Sequence, residues 1–303
     1  MKLPDELMFL QNKNAQQKET QASMKGKLCV ITGATSGVGL EAAKALAKGQ
    51  ASLIMVARNA YRAYEIQKEL VDTYQVSVEV VIADFRILDD VRKAAAHIQS
   101  MTSRIDVLIN CAGLHSTKAT YTPDGHETVF CVNHLASFLF TQLLLKTLKD
   151  SAPSRILQIN SEGHRFNGLD IHDLDWKKRH YTGLRGYGAS KTAQLMSVWE
   201  LNDQLIDTGV TINAMHPGDV KTNIGSNNGW LYRMFSKLMI KPMLRDPVIS
   251  GKAIYYLVAE PALQNTSGKF YHLTLEEIPA KHALDRTLGK EVYDISMKLT
   301  GLK

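Results

Sequence analysis

Four residues have the types and spacing to move a proton. Tyr187 and Lys191 lie four apart in Tyr-Gly-Ala-Ser-Lys, so on a helix they share one face, which continues through Gln194, Leu195 and Val198. A tyrosine is a poor acid or base near neutrality, because its reference pKa is about 10. Moving it by three units takes about 4 kcal/mol, and an ammonium about 4 Å away at an effective dielectric of about 20 supplies roughly that much. Lys191 is therefore expected to bring Tyr187 into working range, less whatever desolvation takes back. Ser161 closes Ile159-Asn160-Ser161, where its hydroxyl can bond a substrate oxygen and stabilise developing alkoxide charge. Asn133 falls on the apolar face of Val129, Val132, Ala136 and Phe140, and its amide is expected to hold a water that connects Lys191 to solvent. Taken singly, each residue has a plain alternative as helix pair, strand-end cap or satisfied core amide. Together, in this order, they read as an acid–base set.

Such a set needs rigid elements to hold it. From Lys25 onward, short β-branched runs alternate with helical patterns: Leu28–Thr32, Ser52–Ala57, Ser77–Ile82, Ile105–Asn110, Arg155–Asn160, Val210–Met215 and Lys269–His272 are the strand candidates. Strands apolar on both faces that alternate with helices predict a parallel sheet covered on both sides. The expected fold is a single α/β domain, doubly wound and of Rossmann type, with a parallel seven-stranded sheet. The expected organisation is a polar N-terminal extension at 1–24, mobile in its larger part, followed by one domain at 25–303.

Ligands of such sheets bind at the carboxyl ends of the strands. There the first strand runs into Thr32-Gly33-Ala34-Thr35-Ser36-Gly37-Val38-Gly39 and a helix, which suits a pyrophosphate held by backbone N–H groups at the helix N-terminus. A plain strand-to-helix turn is the bland alternative. The second strand ends at Ala57-Arg58, where an NAD site would want a carboxylate roughly 20 residues past the glycines. Arg58 favours a 2′-phosphate instead, so NADP(H) is expected over NAD(H). Asp84 is a candidate acceptor for the adenine amino group, or a helix cap, and Asn110, Ala112 and Gly113 close the fourth strand with small residues suited to close passage of a ligand.

The bulk properties remove other classes. The chain has 303 residues and a formal net charge of +6, with a pI near 9.0, but its cations are scattered among acids rather than gathered in a stripe, so no nucleic-acid partner is expected. Cys29, Cys111 and Cys131 form no CxxC pair, which points away from metal and disulfide and toward a cytoplasmic location. No stretch has the roughly 20 apolar residues of a transmembrane span; Leu135 to Leu148 is interrupted by Ser137, Thr141, Gln142 and Lys146.

The chain resembles the classical short-chain dehydrogenase/reductases from Lys25 to about His272, through Thr32–Gly39, Asn110–Gly113, Asn133, Ser161, Tyr187-x-x-x-Lys191 and Pro217-Gly218. The resemblance implies hydride transfer between nicotinamide and a carbonyl or alcohol, with Tyr187 as acid/base, Ser161 orienting substrate and Lys191 also holding the nicotinamide ribose. It further implies that His216 to Thr222, including Pro217, Gly218, Val220 and Thr222, lies along the nicotinamide. Val132-Asn133-His134-Leu135, Ser151–Ile156 and the long insert between Ser161 and Tyr187 are similar to the retinol dehydrogenase-like branch. Cys111 departs from the family, which usually has a second Asn there, and Asn160 stands where many members have another Ser. Helices at Asp124–Asp150 and Arg185–Asp207 form the usual dimer surface of the family, but some relatives are monomers, so the sequence leaves the oligomeric state open between a homodimer and a monomer.

The segment after Gly218 is expected to cover the substrate. Residues 223–247 are rich in Met and aromatic side chains, Trp230 among them, which suits a lipophilic substrate such as a retinoid- or steroid-like aldehyde or ketone. Arg233, Lys237 and Lys241 on its other face suit peripheral contact with a membrane surface, against the simpler reading of a lid docked inward. His115, His164 and Tyr181 are expected at the entrance, each with ordinary loop surface as its alternative. A reductase of a polar or acyl-carrier-bound ketone is the second enzymatic reading. A non-catalytic NADPH-binding sensor is the third, and the intact Ser161, Tyr187 and Lys191 argue against it.

Overall fold

Alternation decides the architecture. In β1 (Leu28–Thr32), Val30 faces one core while Cys29 and Ile31 face the other, and all three are fully buried. The same alternation holds in β2 (Ser52–Ala57), β4 (Val107–Asn110) and β5 (Ser154–Ile159), so a sheet of these strands must be covered twice. The computed structural model, which describes residues 15–220 and 244–303, shows this arrangement. The strand order is β3-β2-β1-β4-β5-β6-β7-β8, with β3 at Val78–Ile82, β6 at Val210–His216, β7 at Phe270–His272 and β8 at Leu275–Glu276. Seven strands are parallel, as expected. The eighth is a two-residue antiparallel edge strand, too short to show a period in the sequence.

One face is covered by α1 (Gly37–Lys48), α2 (Ala60–Tyr74) and α6 (Val248–Ala259). The other carries α3 (Leu88–Met101), α4 (Thr128–Asp150), α5 (Gly183–Gln204) and α7 (Arg286–Leu299). Helix α4 is long and apolar enough to cross a membrane, but 83% of its apolar window is buried inside the protein, so it is a core helix. It contains a π-helical turn at Cys131–Leu135.

Helix α7 changes one expectation. It lies across α4 and α5: Tyr293 stacks edge-on against Phe138 at 5.1 Å, accepts from Gln142 at 2.7 Å and donates to Gln204 at 3.1 Å. His134 bonds Ser296 at 2.7 Å, and Arg286 pairs with Glu200 at 2.9 Å. The face expected to form a dimer is thus occupied by the chain's own C-terminal helix.

The N-terminal extension also differs from expectation over its described part. Residues 15–24 form a strap, not a loose tail. Thr274 bonds Gln17 through both its backbone N–H, at 3.1 Å, and its hydroxyl, at 2.8 Å, while the Lys18 N–H donates back to that hydroxyl at 2.8 Å. Tyr255 donates to the Ala22 carbonyl, and Met24 is buried.

Candidate active site

The order of strands reverses between β1 and β4, which opens a crevice beyond their carboxyl ends. Thr32 draws its two walls together, accepting from the Cys111 N–H at 3.0 Å and the Ala112 N–H at 2.9 Å. Gly33 has φ +72°, and a Cβ there would stand 2.9 Å from the Ala112 Cα, so only glycine fits. Gly33, Thr35, Ser36 and Gly37 are partly exposed toward solvent, while Val38 and Gly39 are buried as α1 begins. No side chain caps α1, which leaves its first N–H groups available to an anion. This cradle fits a dinucleotide pyrophosphate.

At the outer end, Arg58 is exposed beyond β2, and Asn59 caps α2 through Arg62 N at 3.0 Å. Asp84 is not the lone acceptor expected. Its carboxylate is clasped by the Arg86 guanidinium, with Nε at 2.9 Å from Oδ2, and the first N–H of helix α3, at Leu88, donates instead to Asp124 Oδ2 at 3.0 Å. Burial pushes the Asp84 carboxyl up, but the bonds to Arg86 and the nearby Arg58 charge outweigh it and hold it below the usual carboxylate range. Arg86, missed in the sequence although it follows Asp84 by two residues, makes this a two-arginine rim. Asn110 ends β4, but its side chain is buried and donates to Thr141 at 2.7 Å and Gln158 at 3.1 Å. It ties the sheet to α4, which leaves Ala112 and Gly113 facing the crevice.

The proton-moving set assembles at the inner end. Tyr187 lies flat against Gly163, where a Cβ would stand 2.6 Å from Tyr187 Cε1. The Ser161 hydroxyl stands beside the same face of Gly163 as the phenol ring and accepts from the Gly163 N–H at 3.0 Å. Burial pushes the Tyr187 phenol up to about 12, and the neighbouring Ser161 hydroxyl works against it only in part. The expected lowering by Lys191 is not seen. Its Nζ is 5.8 Å from the Tyr187 ring centroid and donates to the Ile159 carbonyl at 2.9 Å and Gln194 Oε1 at 3.2 Å. Burial pushes the ammonium itself down to about 8.

Asn133 is placed beside them but does a different job from the one expected. Its Oδ1 accepts from the Leu114 N–H at 2.8 Å, and its Nδ2 donates to the Leu114 carbonyl at 3.0 Å and Ser190 Oγ at 3.0 Å. The side chain is fully committed to pinning the loop after β4 onto α5. The backbone carbonyl of Asn133 faces the lysine side, inside the π-helical turn, and accepts from Gln194 Nε2 at 2.7 Å. Such turns widen the helix and re-aim its carbonyls.

The entrance residues divide. His115 stands edge-on to Tyr187 with ring centroids 5.6 Å apart, in the crevice as expected, and burial pushes its pKa down. Tyr181 is a half-buried brace: its hydroxyl donates to the Ser116 carbonyl at 3.2 Å and its ring fills the space left by Gly186. His164 is not at the entrance at all. It is fully buried, with Nδ1 2.7 Å from the Ser161 carbonyl and Nε2 accepting from the Ala280 N–H at 3.0 Å, and burial pushes its pKa down to about 3. It therefore holds the loop that carries Ser161. Trp230, Thr222 and most of the expected cover at 223–247 lie outside the described residues. The two ends of that segment meet: Val220 bridges Arg245, and the Arg245 N–H donates to the Asp219 carbonyl at 3.0 Å. Pro217 accepts from Ser250 at 2.5 Å and Gly218 turns the chain at φ +83°.

Behind Ser161 lies a buried charge cluster that the sequence did not reveal. Arg165 pairs with Glu162 and, at 2.7 Å, with Glu277, whose other oxygen is 3.5 Å from His272 Nδ1. Burial and the neighbouring Glu277 push the Glu162 carboxyl up to about 7.

Comparison with known proteins agrees with this geometry. The family model described as short chain dehydrogenase matches residues 27–229. Human retinol dehydrogenase 13 is 33% identical over 289 residues, spanning 94% of this chain and 87% of that protein. Human retinol dehydrogenase 14 is 33% identical over 92% of this chain and 88% of its own length. The crystal structure of an uncharacterised protein from Mycobacterium paratuberculosis superposes with a TM-score of 0.74 at 27% identity, covering 92% of this chain and 95% of that one.

Proposed function

The chain belongs to the short-chain dehydrogenase family, in its retinol dehydrogenase-like branch, and from that premise we propose that it reduces a lipophilic aldehyde or ketone with NADPH. The observation that carries this reading is the meeting of Tyr187 and Ser161 against Gly163 at the inner end of the crevice, with Lys191 one helical turn away. A phenol pushed up to about 12 is protonated at neutral pH, which suits the acid needed in the reducing direction.

The bound nicotinamide would supply the hydride. The loop from Gly33 to Gly39 would hold the pyrophosphate, Arg58 with Arg86 the 2′-phosphate, and Lys191 the nicotinamide ribose. Ser161 orients the carbonyl oxygen and stabilises the charge that develops on it. Tyr187 donates the proton to that oxygen, and the Lys191 ammonium stabilises the phenolate left behind. Gly163 and His115 fix the phenol ring between them, so the donor does not wander.

A lipophilic substrate would meet exposed Phe166 and Leu184 at the rim of a groove of about 460 Å³ beside the N-terminus of α5, whose remaining lining, Arg165, Asn167, Thr182, Arg185 and His282, is polar. The composition of residues 223–247 and the retinol dehydrogenase relatives support such a substrate. We place the protein in a reducing, cytoplasmic compartment, in keeping with three unpaired cysteines of which two are fully buried.

Titration with NADPH and NADH, on wild type and Arg58→Ala, is the test. The expected result is a preference for NADPH of at least about tenfold that collapses in the variant, followed by turnover of apolar carbonyls. Equal binding of NADH, or an unchanged preference in the variant, would overturn the cofactor assignment. Binding of neither would overturn the reductase reading.

A further inference from the structure

A buried ammonium keeps its charge only if oxygen atoms surround it. Around Lys191 Nζ one of those oxygens comes from Gln194, a residue of α5 that is 3% exposed and has no part in the mechanism above. Both ends of its carboxamide are used. Nε2 donates to the Asn133 carbonyl at 2.7 Å, and Oε1 accepts from Lys191 Nζ at 3.2 Å and from Asn160 Nδ2 at 2.7 Å. Asn160 in turn donates to the Lys191 carbonyl at 2.9 Å and accepts from the Ser161 N–H at 2.8 Å. This fixes the direction of the amide, since a flipped Gln194 would set its NH2 against two donors and its oxygen against a carbonyl.

We propose that Gln194 is a positioning residue for the reaction: its carboxamide bridges the Lys191 ammonium to the Asn133 carbonyl, and so fixes where the ammonium sits and how tightly it holds its proton. The inference rests on the reductase reading above for its consequence in turnover, but not for the bridge itself. An amide accepts and donates hydrogen bonds without releasing a proton at neutral pH. The protons are then accounted for in three steps. The alkoxide takes a proton from Tyr187, the phenolate takes one from the Lys191 ammonium, and the resulting amine takes one from solvent.

The other titratable groups that face Nζ are Tyr187 on the same helix and the Cys111 thiol after β4. Burial pushes both up to about 12, so both are neutral near pH 7. The ammonium is therefore held by the Ile159 carbonyl and the Gln194 amide, and a change at Gln194 alters its proton affinity directly.

The experiment follows the Lys191 side chain by NMR in protein carrying isotope-labelled lysine, its signal identified by its loss in Lys191→Arg. In Gln194→Leu the titration midpoint is expected to fall by about one pH unit, a tenfold change in proton affinity. In Gln194→Glu, which sets a carboxylate beside the ammonium, it is expected to rise by about as much. The pH limb of carbonyl turnover moves in the same senses, with kcat affected and KM for the carbonyl held. A midpoint within about 0.3 unit of wild type in both variants, with turnover lowered evenly at every pH, would show a merely structural residue and overturn the proposal. Failure of the reductase reading looks different: wild type turns over no carbonyl, while the Lys191 midpoints still shift.

Discussion

Replacing Gly163 by alanine adds one methyl group against the face of Tyr187. The new Cβ would stand 2.6 Å from Cε1 and 2.7 Å from Cδ1, about 0.8 Å inside the closest ordinary contact. The backbone of Gly163 is not in the left-handed region, so alanine is acceptable there on its own account. Neither partner can simply back away. The next residue of α5, Gly188, is so close to Phe166 that a Cβ there would lie 1.9 Å from its carbonyl oxygen, and Gly186 is packed against the Tyr181 ring. The phenol must therefore swing, and its oxygen moves by about 1 Å from Ser161. A misplacement of that size costs about 100-fold in rate, and the overpacking costs about 1–3 kcal/mol of stability. Steady-state assays that follow nicotinamide absorbance should show kcat down about 100-fold, with cofactor affinity within about twofold of wild type. A folded variant with kcat within about threefold of wild type would refute the claim that Gly163 sets the position of the phenol.

Two further outcomes follow from buried charge. Arg165→Met leaves Glu162 and Glu277 buried together, which should lower stability by about 3–5 kcal/mol at pH 8. The loss should shrink toward pH 5, as Glu162, pushed up to about 7, becomes protonated; urea unfolding with equal losses at both pH values would contradict this. His134 is pushed down to about 3 by burial, so below its unfolded pKa of about 6.5 the unfolded chain takes up a proton that the folded protein refuses. Stability is therefore lost as pH falls through that window, at up to about 1.4 kcal/mol per unit. His134→Leu, which loses a bond to Ser296 worth about 1 kcal/mol at pH 7, should lose less on acidification than wild type. A constant gap between the two unfolding curves from pH 7 to pH 4 would count against the linkage.

What was legible in the sequence follows the range of the interactions. The seven parallel strands, the glycine loop and the Tyr187–Lys191 helix are written in local periods and spacings, and the structure places the strands within two residues of the expected ends and the helix within three. The roles of Asn133 and Gln194 were not legible. An expected helical face shows that a polar residue is buried, but not which distant donor its oxygen meets, and the π-helical turn shifts that face without any mark in the pattern. His164 was expected at the entrance, with loop surface as its alternative, and neither reading names the groups that hold it. Its partners Ala280 and Phe270 lie more than a hundred residues away in sequence. The occlusion of the dimer face by α7 is of the same kind, since an amphipathic C-terminal helix does not state in its sequence which groove it fills.

The strap at residues 15–24 has a consequence for the order of events during synthesis. Its anchor at Thr274 lies 256 residues from Lys18 and 257 from Gln17. The strap is thus completed by the turn between β7 and β8, made long after it, and only Met24, through the Gly49 carbonyl, meets an early partner. Closing so long a loop is favourable only once its intervening chain is already compact. The strap therefore acts as a latch set at the end of folding, and protease sensitivity at Gln16–Ser23 should persist in a nascent chain until β7 and β8 have cleared the ribosome.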